Sequence, residues 1–408
     1  MGFGWNITGA QQTGCIPVVG RARRSPLYWR WRIFRRWQIY WLWSWFKDWP
    51  IFPHGTRSTR YSGKGLFRPA RPPPDAPVGA PLNQGVKRQI INYLRLILDF
   101  KKERVNCQNK YPEIVKFKAE RKFEEKLAGA NGVTPFVPVQ LGYGDEPIYQ
   151  KCVGHLIDGL EFLPYRPDYM FDHCFKAIDE AGGYFFSNKG IKGIVQGLPG
   201  RLLKQSRADW EAITDLLGAK IPLMTCRFLV KRICEAHFLT DGNSKQLSDR
   251  ASHCFGSQFY DEFIKRFALD DAGQATGNIS AERINKGASF LKLYLSGKKG
   301  TQKSRYASHK CLDLTDEKNL PTHQTRMELF LSLLLFNMRN ERSHGAVLSP
   351  FRTSKSSIDR YKSYYFAMLC SYIFCLGTFE LRGFGAMSGE KIKRCAEENV
   401  RLQLDFFS

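Results

Sequence analysis

The chain has 408 residues, 43% of them hydrophobic and 25% charged, a composition that excludes wholesale disorder and a fibrous repeat. Its 62 Lys and Arg against 38 Asp and Glu give a formal net charge of +24. A positive charge of this size favours a polyanionic partner, either nucleic acid or an anionic membrane surface.

The N-terminal segment 1–81 differs in composition from the rest of the chain. Residues 1–75 hold 13 Lys and Arg but two acidic residues, and eight of the nine Trp lie within the first 49 positions. Charges interrupt the apolar stretch 25–52, so it is neither a spanning helix nor a secretory signal. Its interleaved Trp and Arg suit a membrane-surface contact or stacking on unpaired bases, while a start codon placed too far upstream would also add such a leader. We expect residues 1–81 to form a disordered Trp/Arg-rich tail that ends in a Pro-rich linker.

Residues 82–149 are predicted to form a basic helical extension. The segment 86–105 has apolar residues at helical spacing with Lys and Arg between them. A second helix is predicted over 113–127, and Gly and Pro break the connection 129–147. The apolar positions of the first helix are Ile90, Ile91, Leu94, Ile97 and Leu98.

The third region, 150–408, is predicted to be a helical domain, since helix start and stop signals recur and long alternating strand patterns are missing. One helix opens with a capping box of Ser206 and Asp209 and ends at Gly218. The sequence therefore predicts an all-α fold. Further helices are predicted over 167–180, 222–239, 245–267 and 281–295.

Two long helices follow near the C-terminus. Capping boxes of Thr325 with Glu328 and of Ser356 with Asp359 mark their starts. The first, over 327–342, is apolar nearly all round, so we expect it to be buried. The second presents one apolar face, formed by Ile358, Tyr361, Tyr365, Met368, Tyr372 and Leu376.

The cysteines and acidic residues indicate no metal site. The eleven Cys are scattered without a CxxC pair, and the closest metal-like spacing, Cys152 with His155, stands alone. Zinc fingers and ribbons are thereby excluded. We expect free, mostly buried thiols in a reducing cytoplasm, and no metal or cofactor. The acidic residues expected to be solvated or paired with Lys and Arg are Asp158, Asp172, Asp179 and Glu180.

A cluster of polar residues ends the buried helix, and Gly345 after it supplies a left-handed stop. The cluster consists of Arg339, Asn340, Glu341, Arg342, Ser343 and His344. Residues four apart share a helix face, so Asn340 lies beneath His344 on a stripe beside that of Arg339. An imidazole that titrates near neutrality beside a permanent planar cation suits the cleavage of RNA phosphodiesters.

Each polar group has a role in that chemistry. His344 takes the proton from a ribose 2′-OH or delivers one to the departing 5′-oxygen, while Arg339 neutralises charge growing on the phosphoryl oxygens. Asn340 orients either group through its amide. The expected products are a 2′,3′-cyclic phosphate and a free 5′-hydroxyl, formed without a metal. The residues predicted to contact RNA are Arg342, Ser343, Arg352 and Lys355.

This segment resembles the HEPN superfamily, whose signature is Arg, four to six residues, then His, commonly with a polar residue directly after the Arg. Arg339, Asn340 and His344 match it, and the resemblance is specific from Met327 to about Leu381. It implies a helical bundle with the motif at the junction of two long helices, and a metal-independent endoribonuclease whose homodimer builds one cleft from two motifs. It also implies a toxin, abortive-infection, phage-defence or CRISPR-effector role, with an antitoxin or guide RNA as a further partner. Some members are non-catalytic, which leaves a scaffold that binds RNA or protein as the alternative.

Two further Arg and His pairs fit the bare spacing. Arg232 with His237 is a candidate second half-site, but Ile233 is apolar where the family prefers a polar residue. His237 also suits a helix C-terminus, so a structural role is favoured for this pair. Arg166 with His173, six residues between them, is interpreted as a surface turn followed by a core histidine.

Overall fold

The computed structural model describes residues 101–186, 189–269, 273–274, 279–301, 309–345, 349–353 and 356–408. The predicted tail 1–81 and most of the predicted helix 86–105 lie outside the described residues. All described residues belong to one unit of the chain, Ser58–Ser408.

The described part of the chain is helical and contains no β-strand, which confirms the all-α prediction. Helical residues 101–109 come first. The helices that follow are α1 Lys118–Gly129, α2 Pro147–Leu160, α3 Pro167–Gly182, α4 Gly190–Gln205, α5 Arg207–Lys220, α6 Leu223–Phe238, α7 Gly242–Phe255, α8 Ser257–Phe267, α9 Ala281–Ser296, α10 over 323–343, α11 Ile358–Arg382 and α12 Gly389–Phe406.

Helix α11 is the centre of the described core. Side chains from Tyr365 to Glu380 are buried without interruption, so the helix is covered on all sides and not on the predicted face alone. Phe123 of α1 stacks on Tyr361 at 4.0 Å between ring centroids, and Trp210 of α5 stacks on Phe374 at 5.9 Å. Among the described residues α11 has the length and apolarity of a membrane span, but 94% of that stretch is buried inside the protein, as in the core helix of a soluble protein.

The region predicted as an N-terminal extension packs onto this same core. Its observed helix α1 begins at Lys118, five residues later than predicted, and Glu120 accepts a hydrogen bond from the backbone of Phe117 at the start. Farther along, the amide of Asn399 in α12 pairs with both backbone groups of Val137 at 2.8 Å. Residues 117–149 therefore share their core with the helices that follow.

Gly256 divides the predicted helix 245–267 into α7 and α8. Its φ of +80° is outside the helical region, so the helix stops there and a new one begins at Ser257. The apolar pattern hides this break, because Phe255 and Phe259 stack across it at 5.2 Å. The prediction of one continuous helix is wrong at this point.

At two predicted capping boxes a nearby hydroxyl, and not the predicted one, caps the helix. The Thr322 hydroxyl, and not that of Thr325, caps α10 by accepting from the Thr325 backbone N–H at 3.1 Å. The Ser357 hydroxyl caps α11, while the Ser356 hydroxyl donates to the Pro350 carbonyl. In both places an adjacent hydroxyl competes for the same role, which local sequence cannot resolve.

Ser206 occupies the predicted N-cap position of α5, but its side chain is used elsewhere. The hydroxyl donates to Glu380 Oε1 at 2.6 Å, and Trp210 Nε1–H donates to Glu380 Oε2 at 2.9 Å. The predicted capping box with Asp209 is therefore absent, and the helix ends at Lys220 instead of Gly218. A buried carboxylate on α11 fixes the start of α5.

Three observed helices have no counterpart in the predicted elements: α2, α4 and α12. Helix α4 contains four Gly and an internal Pro199, residues that disfavour helices. Burial compensates, since Ile194, Leu198 and Leu202 are all completely buried. Tertiary packing thus overrides local propensity in this segment.

Helix α10 carries the polar cluster and changes its winding along its length. It begins as an α-helix over His323–Glu328, widens into a π-helix over Leu329–Leu335 and returns to an α-helix over Phe336–Ser343. All seven π-helical side chains are buried, which confirms the predicted burial. The chain then leaves the helix at Gly345, whose φ of +64° supplies the predicted left-handed stop.

Candidate active site at the end of helix α10

Arg342 anchors the end of α10 to α3. Its guanidinium donates to both carboxylate oxygens of Asp172, with Nη2 at 2.6 Å from Oδ2, and Nη1 donates to Asp168 Oδ2 at 3.0 Å. Burial opposes the charged form of Arg342, but these two carboxylates raise its pKa above the ordinary value. Arg342, predicted to contact RNA, is held by α3, and its contacts favour a structural role.

Asp168 forms ion pairs with two guanidinium groups, those of Arg342 and Arg166. Its side chain is 0% exposed, and it also accepts from Arg166 Nε at 2.9 Å and Nη2 at 2.8 Å. The interpretation of Arg166 as part of an ordinary surface turn is therefore corrected, because its guanidinium is bound by a buried carboxylate. One Asp side chain fixes both the start of α3 and the end of α10.

Glu341 anchors the same helix end to α6. Its carboxylate lies 2.7 Å from Arg232 Nε and 2.9 Å from Nη2, and it accepts from the Asn337 amide at 3.1 Å. Burial raises the pKa of Glu341, although the Arg232 charge opposes that shift. Arg232 also contacts Glu235 at 3.0 Å, so two carboxylates engage this guanidinium.

The two residues of the candidate second half-site, Arg232 and His237, contact different partners. Whereas Arg232 binds Glu341, the His237 ring nitrogen Nδ1 lies 3.3 Å from the Tyr260 hydroxyl of α8. These contacts favour the structural role that the sequence analysis preferred for this pair.

Arg339, Asn340 and His344 make none of the ion pairs that hold the helix end against α3 and α6. Because each residue turns the helix by about 100°, the mean direction of this group together with Ser343 is roughly opposite to that of Glu341 and Arg342. Ser343 and His344 are exposed, and the His344 backbone N–H still donates to the Asn340 carbonyl at 3.0 Å. The ion pairs therefore hold the helix end through Glu341 and Arg342 and leave Ser343 and His344 exposed to solvent.

Arg339 is half-buried next to Asn340. Its Nη1 donates to Asn340 Oδ1 at 3.2 Å, and among the described residues no carboxylate lies within ion-pair distance of it. Its charge still reaches Asp179 of α3, where burial raises the carboxyl pKa and Arg339 lowers it. A guanidinium with free donors at an exposed helix end can neutralise the charge of a phosphoryl group.

Two residues beyond the helix, Arg352 and Lys355, are also predicted to contact RNA. Arg352 Nε donates to Glu120 Oε1 of α1 at 3.0 Å, while Arg104 donates to the Arg352 carbonyl at 3.4 Å. Lys355 lies outside the described residues. The prediction for Arg352 thus competes with an ion pair that the linear sequence does not show.

The described thiols are free and mostly buried, as expected, and two of the four acidic residues pair with basic side chains. All ten described cysteines are free and eight of them are buried. Asp172 pairs with Arg342, and Glu180 pairs with Lys151 at 2.5 Å. Among the described residues one group of side chains is arranged as metal ligands are: His155, Asp158 and His173, between α2 and α3.

A basic cavity of about 330 Å³ lies where α8 and α9 meet a loop. Burial, followed by the charge of Arg266, lowers the pKa of His309 at its edge. No residue of the α10 motif lines it. The sequence contains no short motif that would reveal this site, since its residues come from three separate segments; they include Lys265, Arg266, Lys286 and His309.

Replacing Asp168 with Ala should destabilise the protein strongly, because two largely buried guanidinium groups lose their shared carboxylate. We expect the free energy of unfolding to fall by about 3–5 kcal/mol, measured by urea denaturation. The matched control is Asp405→Ala, an exposed carboxylate on α12, which should change stability by less than about 0.5 kcal/mol. Equal losses in the two variants would show that Asp168 is not an anchor.

The comparisons with known proteins give no relative. No family model matches the chain, and neither the curated proteins nor the solved structures contain a match. The resemblance to the HEPN superfamily therefore rests on the residues of the motif and on their place at the end of a buried helix.

Proposed function

We propose that this protein is a metal-independent endoribonuclease of the HEPN type. One observation carries the proposal: ion pairs of Glu341 and Arg342 fix the end of α10, while Arg339, Asn340 and His344 form no ion pair among the described residues and His344 is exposed. A catalytic group must be held in place and must also reach its substrate. The motif residues meet both requirements at the end of a buried helix.

The chemistry is a transesterification within the RNA strand. The His344 imidazole removes the proton from a ribose 2′-OH, and the 2′-oxygen attacks the adjacent phosphorus. The bond from phosphorus to the 5′-oxygen breaks, and that oxygen takes up a proton. Arg339 stabilises the negative charge that develops on the non-bridging oxygens, and Asn340 positions the guanidinium to which it is hydrogen-bonded. The products are a 2′,3′-cyclic phosphate and a 5′-hydroxyl.

RNA is the proposed substrate because the net charge of +24 favours a polyanion and the reaction requires a 2′-hydroxyl. Free buried thiols suit a reducing cytoplasm, which we propose as the location. The proposed biological role in phage defence, abortive infection or CRISPR immunity, or as a toxin, rests on the resemblance to the HEPN superfamily. An antitoxin or a guide RNA is a further proposed partner on the same basis.

Removing the imidazole should abolish cleavage and preserve the fold. We expect His344→Ala and Arg339→Ala each to lower the cleavage rate by about 10²–10⁴-fold, since each removes one group that acts in the transition state. The readout is fragment formation from a defined RNA, together with the melting temperature. The control His253→Ala removes another exposed histidine, on α7, and should cut RNA at the wild-type rate. A fully active His344→Ala protein would refute the proposal.

A homodimer is the second expectation. Activating the 2′-OH and protonating the leaving oxygen need two proton-transfer groups, and a second His344 across a two-fold axis supplies the other one. Sedimentation velocity should therefore find a dimer, and the specific activity should fall on dilution below its dissociation constant. A monomer with full activity would contradict this expectation and turn attention to Arg232 and His237.

The alternative is a non-catalytic scaffold that binds RNA or a protein. The basic cavity favours it, because this feature attracts anions and borders no residue of the motif. On this alternative the wild-type protein binds RNA without producing fragments. Binding then weakens in the double variant Lys265→Ala with Arg266→Ala and is unchanged in His344→Ala.

A further inference from the structure

Two histidines and an aspartate meet between α2 and α3. His155 and Asp158 are three residues apart and share one face of α2, and His173 faces them from α3. Their nearest ligand atoms all lie within 4.8 Å of one another. The rings of His155 and His173 are 6.2 Å apart between centroids, and His173 Nδ1 is 3.9 Å from Asp158 Oδ2.

Gly159 of α2 allows α2 and α3 to approach each other closely at this point. A Cβ atom on Gly159 would lie 2.5 Å from Met170 Sδ and 3.0 Å from the Cβ of His173. Any side chain at this position would therefore push α3 away. The glycine beside Asp158 is what allows the His173 ring to reach the carboxylate.

The distance between His173 Nδ1 and Asp158 Oδ2 is closer to the separation of two ligands on one cation than to that of a hydrogen bond. His173 Nδ1 is buried and has no hydrogen-bond partner among the described residues, and 3.9 Å is too long for one. Two ligand atoms on a tetrahedral zinc ion, each at about 2.0–2.1 Å from the metal, are about 3.4 Å apart. A movement of about 0.5 Å would bring Nδ1 and the carboxylate oxygen to that separation.

The ligand types narrow the choice of metal. Imidazole nitrogens with one carboxylate suit zinc and its neighbours in the first transition series, whereas calcium and magnesium prefer sites made of oxygen. Three protein ligands leave at least one position for water. The arrangement is therefore that of a site that ties two helices together and remains open to solvent on the side of Asp158, whose side chain is 62% exposed.

We propose that His155, Asp158 and His173 bind one zinc ion that joins α2 to α3. Helix α3 also carries Asp168 and Asp172, so a bound ion would stabilise the helix that anchors Arg342 and the end of α10. The ion takes no part in the proposed cleavage step. The zinc site and the ribonuclease site can therefore be tested independently.

Equilibrium dialysis of the full chain against zinc chloride tests the site, after the protein has been stripped with EDTA. We expect one Zn²⁺ per chain in the wild-type protein. His155→Ala and Asp158→Asn should each weaken binding by more than about 100-fold, beyond the loss typical of a residue that only supports a ligand. His253→Ala, which removes an exposed histidine on α7, should bind as the wild type does.

The melting temperature gives a second readout. Zinc should raise it in the wild type and in His253→Ala, but not in Asp158→Asn, a variant whose largely exposed side chain makes misfolding an inadequate explanation. A wild-type protein that binds no zinc, or variants that bind it equally well, would overturn the proposal. If zinc binds as expected but the zinc-loaded protein does not cut RNA, the zinc site stands and the proposed ribonuclease function fails.

Discussion

The buried carboxylate of Asp168 is the interaction on which the candidate site depends. It binds two guanidinium groups, those of Arg166 and Arg342, and so links the first turn of α3 to the last turn of α10. A carboxylate completely removed from water is strongly unfavourable unless cations and hydrogen-bond donors surround it. With both cations in place, the end of α10 is held against α3.

The polar cluster at the end of α10 contains residues that form ion pairs with other helices and residues that do not. Glu341 and Arg342 form ion pairs with α6 and α3, whereas Arg339 and His344 form none among the described residues. Just before the cluster, the π-helical stretch Leu329–Leu335 lies wholly in the core. Because a π-helix has more residues per turn than an α-helix, this stretch sets the direction in which each residue of the cluster points.

Local sequence signals predicted much of the fold but not the ion pairs that surround the candidate site. The pattern of helix start and stop signals with apolar spacing located α3, α6, α9 and the start of α11 to within a few residues. It failed at Gly256, where the pattern runs through a break, and at α4, where packing overrides Gly and Pro. The ion pair of Arg342 with Asp172 joins residues 170 positions apart. Spacing within the motif could therefore identify Arg342 as a cation but not its partner.

The most direct test of the account is the chemistry of the RNA ends. A defined RNA is incubated with the wild-type protein in EDTA, and the termini of the fragments are analysed. The account predicts 2′,3′-cyclic phosphate at one end and a 5′-hydroxyl at the other, because the 2′-oxygen of the substrate is the nucleophile. Fragments that carry 5′-phosphate, or cleavage that requires a divalent ion, would contradict it.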